Sequence, residues 1–164
     1  MGRSQESAKI TPKANLILAS GSQSRKEMLE EAGIAFDVVV SSANEEYIKS
    51  KIASLKFEEQ VVHLAKAKAE KVSSDNPSSV VIGGDQMCVL DNKLLHKPGS
   101  KEKAAASLKQ LAGQKHFQHS GVCLFKNKKC IWEYSETVTL KMHDLSEKEI
   151  INYVEMENPI HAAG

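Results

Sequence analysis

Short apolar runs alternate with amphipathic stretches along the chain, and the alternation predicts interleaved strands and helices. The run NLILAS, residues 15–20, predicts a short buried strand. Met28, Leu29 and Ala32 then recur at helical spacing over residues 22–32, and Gly33 stands where a helix C-cap belongs. The β-branched stretch AFDVVVS predicts a second strand. Over residues 57–73, Val61, Leu64, Ala65, Ala69 and Val72 share one stripe of a longer helix. VVIGGD predicts a strand ending in glycines and a carboxylate, and MCVLDNKLL a hairpin turning at Asp91–Asn92. A helix over residues 101–112 closes at Gly113, and two long strands from Phe117 to Met142 flank a polar turn at Lys126–Lys129. The capping box of Ser146 with Glu149 opens a last amphipathic helix.

This order predicts the α/β class: a single domain built on a mixed, twisted sheet flanked by helices. No repeat, low-complexity tract or Pro/Gly-rich linker divides it. The polar start, MGRSQESAKITPKA, predicts a disordered lead-in over residues 1–14, with the domain running over 15–164. It has no apolar centre of the kind a signal peptide carries, and runs such as VVIGG and FDVVV are too short to cross a bilayer. A net charge of +1 gives no global field toward nucleic acid or an anionic membrane, so anion binding must come from local placement of charge. Cys88, Cys123 and Cys130 lack the paired spacing of a disulfide framework or zinc knuckle. They read as reduced packing residues, which fits a cytoplasmic setting.

Three places carry candidate chemistry. In ASGSQSRKEML a strand gives way to a helix, where free backbone amides and the positive end of the helix dipole suit a phosphate. Ser20, Gly21 and Ser22 allow close approach and Arg25 lies in the first turn, although the dipole slightly disfavours a cation there. Locally the same residues also read as an ordinary N-cap with a solvated arginine, and both phosphate-loop patterns are absent. The second place is Lys68, on the apolar stripe with Val61, Leu64 and Ala65, where it either snorkels past the core or reaches an anion or carboxylate. Lys66, off the stripe, reads as solvated.

The third place is GGDQ, where Asp85 follows an apolar strand and the two glycines leave room beside it. It reads either as a turn residue or as a ligand-facing carboxylate at a strand end. Glu45 and Glu46, in SSANEEY, read locally as solvated residues ending a strand. His116 and His119 occupy positions of opposite parity, which argues against shared metal ligation, while Trp132 and Phe125 read as core. Lys97 of LLHKPGS supplies a further cation.

In chain order these segments resemble the Maf family of nucleoside triphosphate pyrophosphatases, whose α/β fold is related to that of inosine triphosphatase. ASGSQSRKEML stands for the family's A-S-x-S-P-R-R opening, ANEE for its V-D-E segment, LAKAKA for L-A-x-x-K-A, GGDQ for G-x-D and HKP for its K-P loop. Gln23 replaces the usual proline, and Ser24 stands where many members have an arginine. The family pattern continues beyond the A-G motif at Ala163–Gly164. The resemblance implies hydrolysis of a nucleoside triphosphate to monophosphate and pyrophosphate, with Asp85 as proton acceptor and a divalent cation, Mg2+ or Mn2+, at Glu45 and Asp85. It implies triphosphate binding by Ser20, Ser22, Arg25, Lys68 and Lys97. Gln86 after Asp85, where the dTTP and UTP branch usually has threonine, points to the branch acting on 7-methyl-GTP. The alternatives are a dTTP/UTP pyrophosphatase or a non-catalytic nucleotide-binding remnant. The partner expected is the small-molecule nucleotide, with no nucleic acid or membrane, and family members often form homodimers.

Overall fold

The computed structural model describes residues 12–162. The expected lead-in lies outside these up to residue 11, as does the Ala163–Gly164 motif. Six strands form one mixed sheet of order β2-β1-β3-β5-β6, with β4 (Lys93–Leu95) paired to β3. The strands of the main path are β1 (Leu16–Leu18), β2 (Asp37–Val38), β3 (Val80–Leu90), β5 (Lys115–Lys126) and β6 (Lys129–Lys141). The helices are α1 (Gln23–Glu31), α2 (Glu45–Ile52), α3 (Phe57–Asp75), α4 (Lys101–Leu111) and α5 (Glu147–Glu157). Contacts gather into two compact units, one reaching to Asp85 and including Gly121–Ser135, the other holding Gln86–Ser120 and Glu136–Gly164.

In the first unit β1 runs parallel to β2 and β3, with Ile17 opposite Asp37 and Val81. Its core gathers Ile17 within β1 and Ala19 just after it, Val81 of β3, Cys123 and Phe125 of β5, and Ala65, Ala69 and Val72 of α3. The predicted stripe of α3 is therefore the buried one, and Lys68 is buried with it. Glycine sets how closely this helix lies on the sheet. A Cβ on Gly83 would collide with the Ala65 carbonyl and stand 2.8 Å from Ala69 Cβ and 2.9 Å from Cys123 Sγ. One on Gly121 would stand 2.7 Å from the backbone of Val61. Burial pushes the Cys123 thiol up to about 12, against a hydrogen bond with the Gly83 backbone that pulls it down.

In the second unit β3 and β4 form an antiparallel hairpin, with Cys88 opposite Leu95. Asp91 and Asn92 take φ of 50° and 59°, the left-handed pair of a type I′ turn, as the sequence predicts. Asn127 and Lys128 do the same between β5 and β6. Helices α4 and α5 pack through Ala104, Ile150 and Val154, with Leu108 and Leu145 against them. Ser146 and Glu149 close the predicted capping box.

Several expectations are corrected. Helix α1 buries none of its residues, and Met28 is exposed, because its apolar positions are too few to make a core face. AFDVVVS contributes only the two exposed residues of β2. Every residue of β6, at the end of the strand order, is exposed. Cys130 and Trp132 are therefore on the surface rather than in the core, and Trp132 stacks on Tyr134 with ring centroids 6.1 Å apart. Phe125 is core as read. Lys66 is not simply solvated: its ammonium lies 2.9 Å from Glu133.

Gly83→Ala must push α3 off the sheet, since the atoms in its way are backbone and core. Overpacking of this kind should lower the unfolding free energy by about 2 kcal/mol or more, read as a fall in the urea midpoint at unchanged slope.

Candidate active site

The candidate site is assembled inside the first unit by β1, α1, α2, α3 and β3. Ser20 follows β1 and is buried. Its hydroxyl accepts from the Ser22 amide at 3.1 Å and from Arg25 Nη1 at 3.0 Å. Ser22 is the N-cap of α1, accepting from the Arg25 amide at 3.4 Å. The ordinary capping role is thus real for Ser22. The arginine, however, is not solvated: it folds back over the helix start toward Ser20.

Arg25 lies across the backbone of β3 at Gly84. A Cβ on Gly84 would stand 3.1 Å from Arg25 Nε and 3.3 Å from Cδ. Burial pulls the guanidinium below its usual pKa, while the charges of Asp85 and then Glu45 raise it. A guanidinium stays protonated across the physiological range, so the outcome is a partly desolvated cation within the field of two carboxylates.

Those carboxylates meet on Lys68. Its Nζ lies 3.0 Å from Asp85 Oδ1 and 3.1 Å from Glu45 Oε1. The alternative left open by the sequence is resolved for reaching a carboxylate, and two are reached. Lys68 is buried because α3 carries it on the core stripe, and such a lysine needs a partner. Glu45 does not end a strand. Asn44 caps α2, its side chain accepting from the Tyr47 amide at 3.1 Å, and Glu45 is the first helical residue. A carboxylate there is favoured by the helix dipole. The sequence carried this signal: Asn followed by Glu-Glu is a helix-start pattern. Asp85 is likewise not at a strand end, since β3 continues unbroken to Leu90.

Gln86 and Lys97 belong to the second unit. Gln86 donates from Nε2 to Gln118 Oε1 at 2.8 Å. Lys97 is exposed, in the segment after β4, and makes no ion pair among the described residues. His116 and His119 are both buried, and the His119 ring lies 2.9 Å from Thr137 Oγ1. No group of three or more His, Cys, Asp or Glu side chains able to hold a metal occurs among the described residues.

The arrangement suits a polyanion and a hard cation together. A guanidinium such as that of Arg25 and a helix start are groups able to donate to phosphate oxygens. Two carboxylates already share one cation, the Lys68 ammonium, which shows that their oxygens can converge on a positive charge. Two carboxylates with no third protein ligand fit Mg2+, which keeps water and substrate oxygens in its shell.

Residues 15–164 match the family model described as Maf-like protein. A nucleoside triphosphate pyrophosphatase of Legionella pneumophila is 38% identical over 157 residues, covering 96% of this chain and 78% of the relative. A 7-methyl-GTP pyrophosphatase of Cupriavidus pinatubonensis is 33% identical over 155 residues, covering 94% and 76%. Among solved structures, the Ham1 protein of Staphylococcus aureus is similar with a TM-score of 0.48 at 14% identity, covering 79% of this chain and 72% of that one.

Gly84→Ala should displace the Arg25 side chain by a few tenths of an ångström or more and leave the fold intact. Affinity for inorganic triphosphate, measured by calorimetry, should fall about tenfold, or 1.4 kcal/mol. Unchanged affinity would show that Arg25 does not bind phosphate from this position.

Proposed function

The chain belongs to the Maf-like protein family, whose model it matches over residues 15–164, and from that membership we propose that it hydrolyses a nucleoside triphosphate to the monophosphate and pyrophosphate. The observation that carries this reading is the meeting of Asp85 and Glu45 at Lys68, with Arg25 within the field of both carboxylates. Cutting between the α- and β-phosphates leaves pyrophosphate, a strongly anionic leaving group, so the barrier falls most where fixed cations face its oxygens. Arg25 is held by Ser20 against the sheet and Lys68 by the apolar stripe of α3, so both are oriented before substrate arrives.

In this mechanism Asp85 accepts the proton of the attacking water at its carboxylate. The water oxygen bonds to the α-phosphorus, the bond to the αβ-bridging oxygen breaks, and its electrons leave on pyrophosphate. The proton passes from Asp85 to solvent. Glu45 and Asp85 would hold a divalent cation, Mg2+ or Mn2+, which when bound neutralises phosphate oxygens and polarises the phosphorus. Lys97 is assigned to the triphosphate by the family resemblance alone.

We further propose 7-methyl-GTP as the substrate. Gln86 supports this, standing where the dTTP and UTP branch usually has threonine, as does similarity to the Cupriavidus pinatubonensis relative of that name.

Pyrophosphate release should be measured for 7-methyl-GTP, dTTP, UTP and ITP, with and without Mg2+. Fastest turnover of 7-methyl-GTP, only with the metal, is expected. Preference for dTTP would overturn the substrate, and no turnover of any of the four would overturn the activity. Asp85→Asn should lower kcat on the order of 100-fold or more while the circular dichroism spectrum of the folded protein is kept. Lys97→Ala should raise KM or lower kcat without unfolding the protein, and unchanged kinetics would remove Lys97 from the site.

A further inference from the structure

We propose that Lys68 is a resident cation that competes with the divalent metal for the Glu45–Asp85 pair, so that the metal enters when a polyphosphate draws the ammonium away. This rests on the reading of the site as one for a nucleoside triphosphate and a metal. Its ground is the position of one nitrogen. Lys68 Nζ, 3.0 Å from Asp85 and 3.1 Å from Glu45, stands where a cation shared by the two carboxylates must stand. Its side chain is only 11% exposed. Val61, Leu64, Ala65, Ala69 and Val72 share its stripe and are buried, so the stem has little freedom to swing into solvent.

The formal charges of Lys68, Arg25, Glu45 and Asp85 cancel, so the resting site offers little net attraction to a free metal ion. Ammonium and metal cannot share one seat, and at a few ångströms they repel even at a high effective dielectric. The two carboxylates alone make a weak magnesium site, since this ion normally completes its shell with substrate oxygens. A triphosphate changes both conditions at once. It offers anionic oxygens to the ammonium, which has three hydrogens to donate, and it offers oxygens to the metal. Only partners are exchanged: the ammonium passes from carboxylate to phosphate, and the carboxylates from ammonium to metal. No covalent bond changes.

By linkage, metal and nucleotide then each raise the other's affinity by the same factor. Arg25 does not serve in this way. It is anchored by Ser20 and by its fit over Gly84. The two cations therefore divide the work: Arg25 is a standing phosphate receptor, and Lys68 is a counterion that changes partner.

The test is Mn2+ binding without nucleotide, by calorimetry on the full chain, for the wild type, Lys68→Met, Lys68→Gln and Lys68→Met combined with Asp85→Asn. Removing the ammonium should tighten Mn2+ binding about tenfold or more in both single variants, and the double variant should lose the gain. Equal or weaker binding by the folded single variants overturns the proposal. The wild type supplies a second measurement that needs no variant to fold. Millimolar Mg2+ alone should leave its melting temperature unchanged, while Mg2+ with an α,β-methylene nucleotide raises it, and a rise with Mg2+ alone overturns the competition. Pyrophosphate release by the wild type separates the two readings. An active enzyme whose Lys68 variants bind Mn2+ no better refutes only the competition, and an inactive one refutes only the hydrolysis.

Discussion

One buried ammonium organises the first unit of this protein. Lys68 sits on the core stripe of α3, where a charge without partners would be expelled or neutralised, and it is kept there by Asp85 and Glu45. The constraint acts in both directions. Two carboxylates within reach of one ammonium would repel each other without it, most of all for the largely buried Asp85. The lysine can reach them only because α3 lies flush on the sheet, and the bare Cα atoms of Gly83 and Gly121 permit that approach. Packing of apolar residues thus sets the position of a charge cluster, and the cluster in turn gives the buried stripe a reason to contain a lysine.

Three glycines divide this labour. Gly83 and Gly121 admit the α3 backbone, whereas Gly84 admits the Arg25 side chain. Alternate residues of a strand face opposite sides of the sheet, so adjacent Gly83 and Gly84 open both faces of β3 at one level. The helix with Lys68 closes on one face and the arginine lies across the other. Asp85, next along the strand, returns to the Gly83 face, and there it meets Lys68. A two-residue run of glycine before an aspartate is therefore a compact way to bring a helix and a cation against the same carboxylate-bearing strand.

Much of this was legible in the sequence where local pattern and tertiary packing agree. The α3 stripe, the Asp91–Asn92 turn and the Ser146–Glu149 box are local features, and they appear as predicted. Lys68 was conspicuous because it broke its own stripe. Where tertiary context decides, local pattern and structure part. β3 does not stop at Asp85, since its continuation pairs with β4 rather than turning away. Glu45 opens a helix rather than ending a strand, because the β-branched run before it forms only a two-residue strand and Asn44 caps α2. Trp132 and Cys130 looked like core by residue type, but β6 ends the strand order and is exposed throughout. Residue type carries no information about which strand is outermost.

The opening serines show how a small local motif gains meaning only from its neighbours. Taken alone, Ser22 is an N-cap and nothing more, and the structure agrees. Ser20 is different: its single hydroxyl accepts both the Ser22 amide and the Arg25 guanidinium, tying the start of the helix to the cation that the helix carries. The dipole disfavours an arginine in this turn, and burial disfavours it further. The charges of Asp85 and Glu45 oppose these costs in part, and burial still pulls the guanidinium below its usual pKa. Those same carboxylates hold Lys68, so Arg25 and Lys68 share one pair of counter-charges. An anion strong enough to take a share of Arg25 and Lys68 necessarily loosens their hold on Asp85 and Glu45. A site built from mutually compensating charges responds best to a ligand that brings charges of both signs, and a polyphosphate accompanied by a divalent cation is such a ligand.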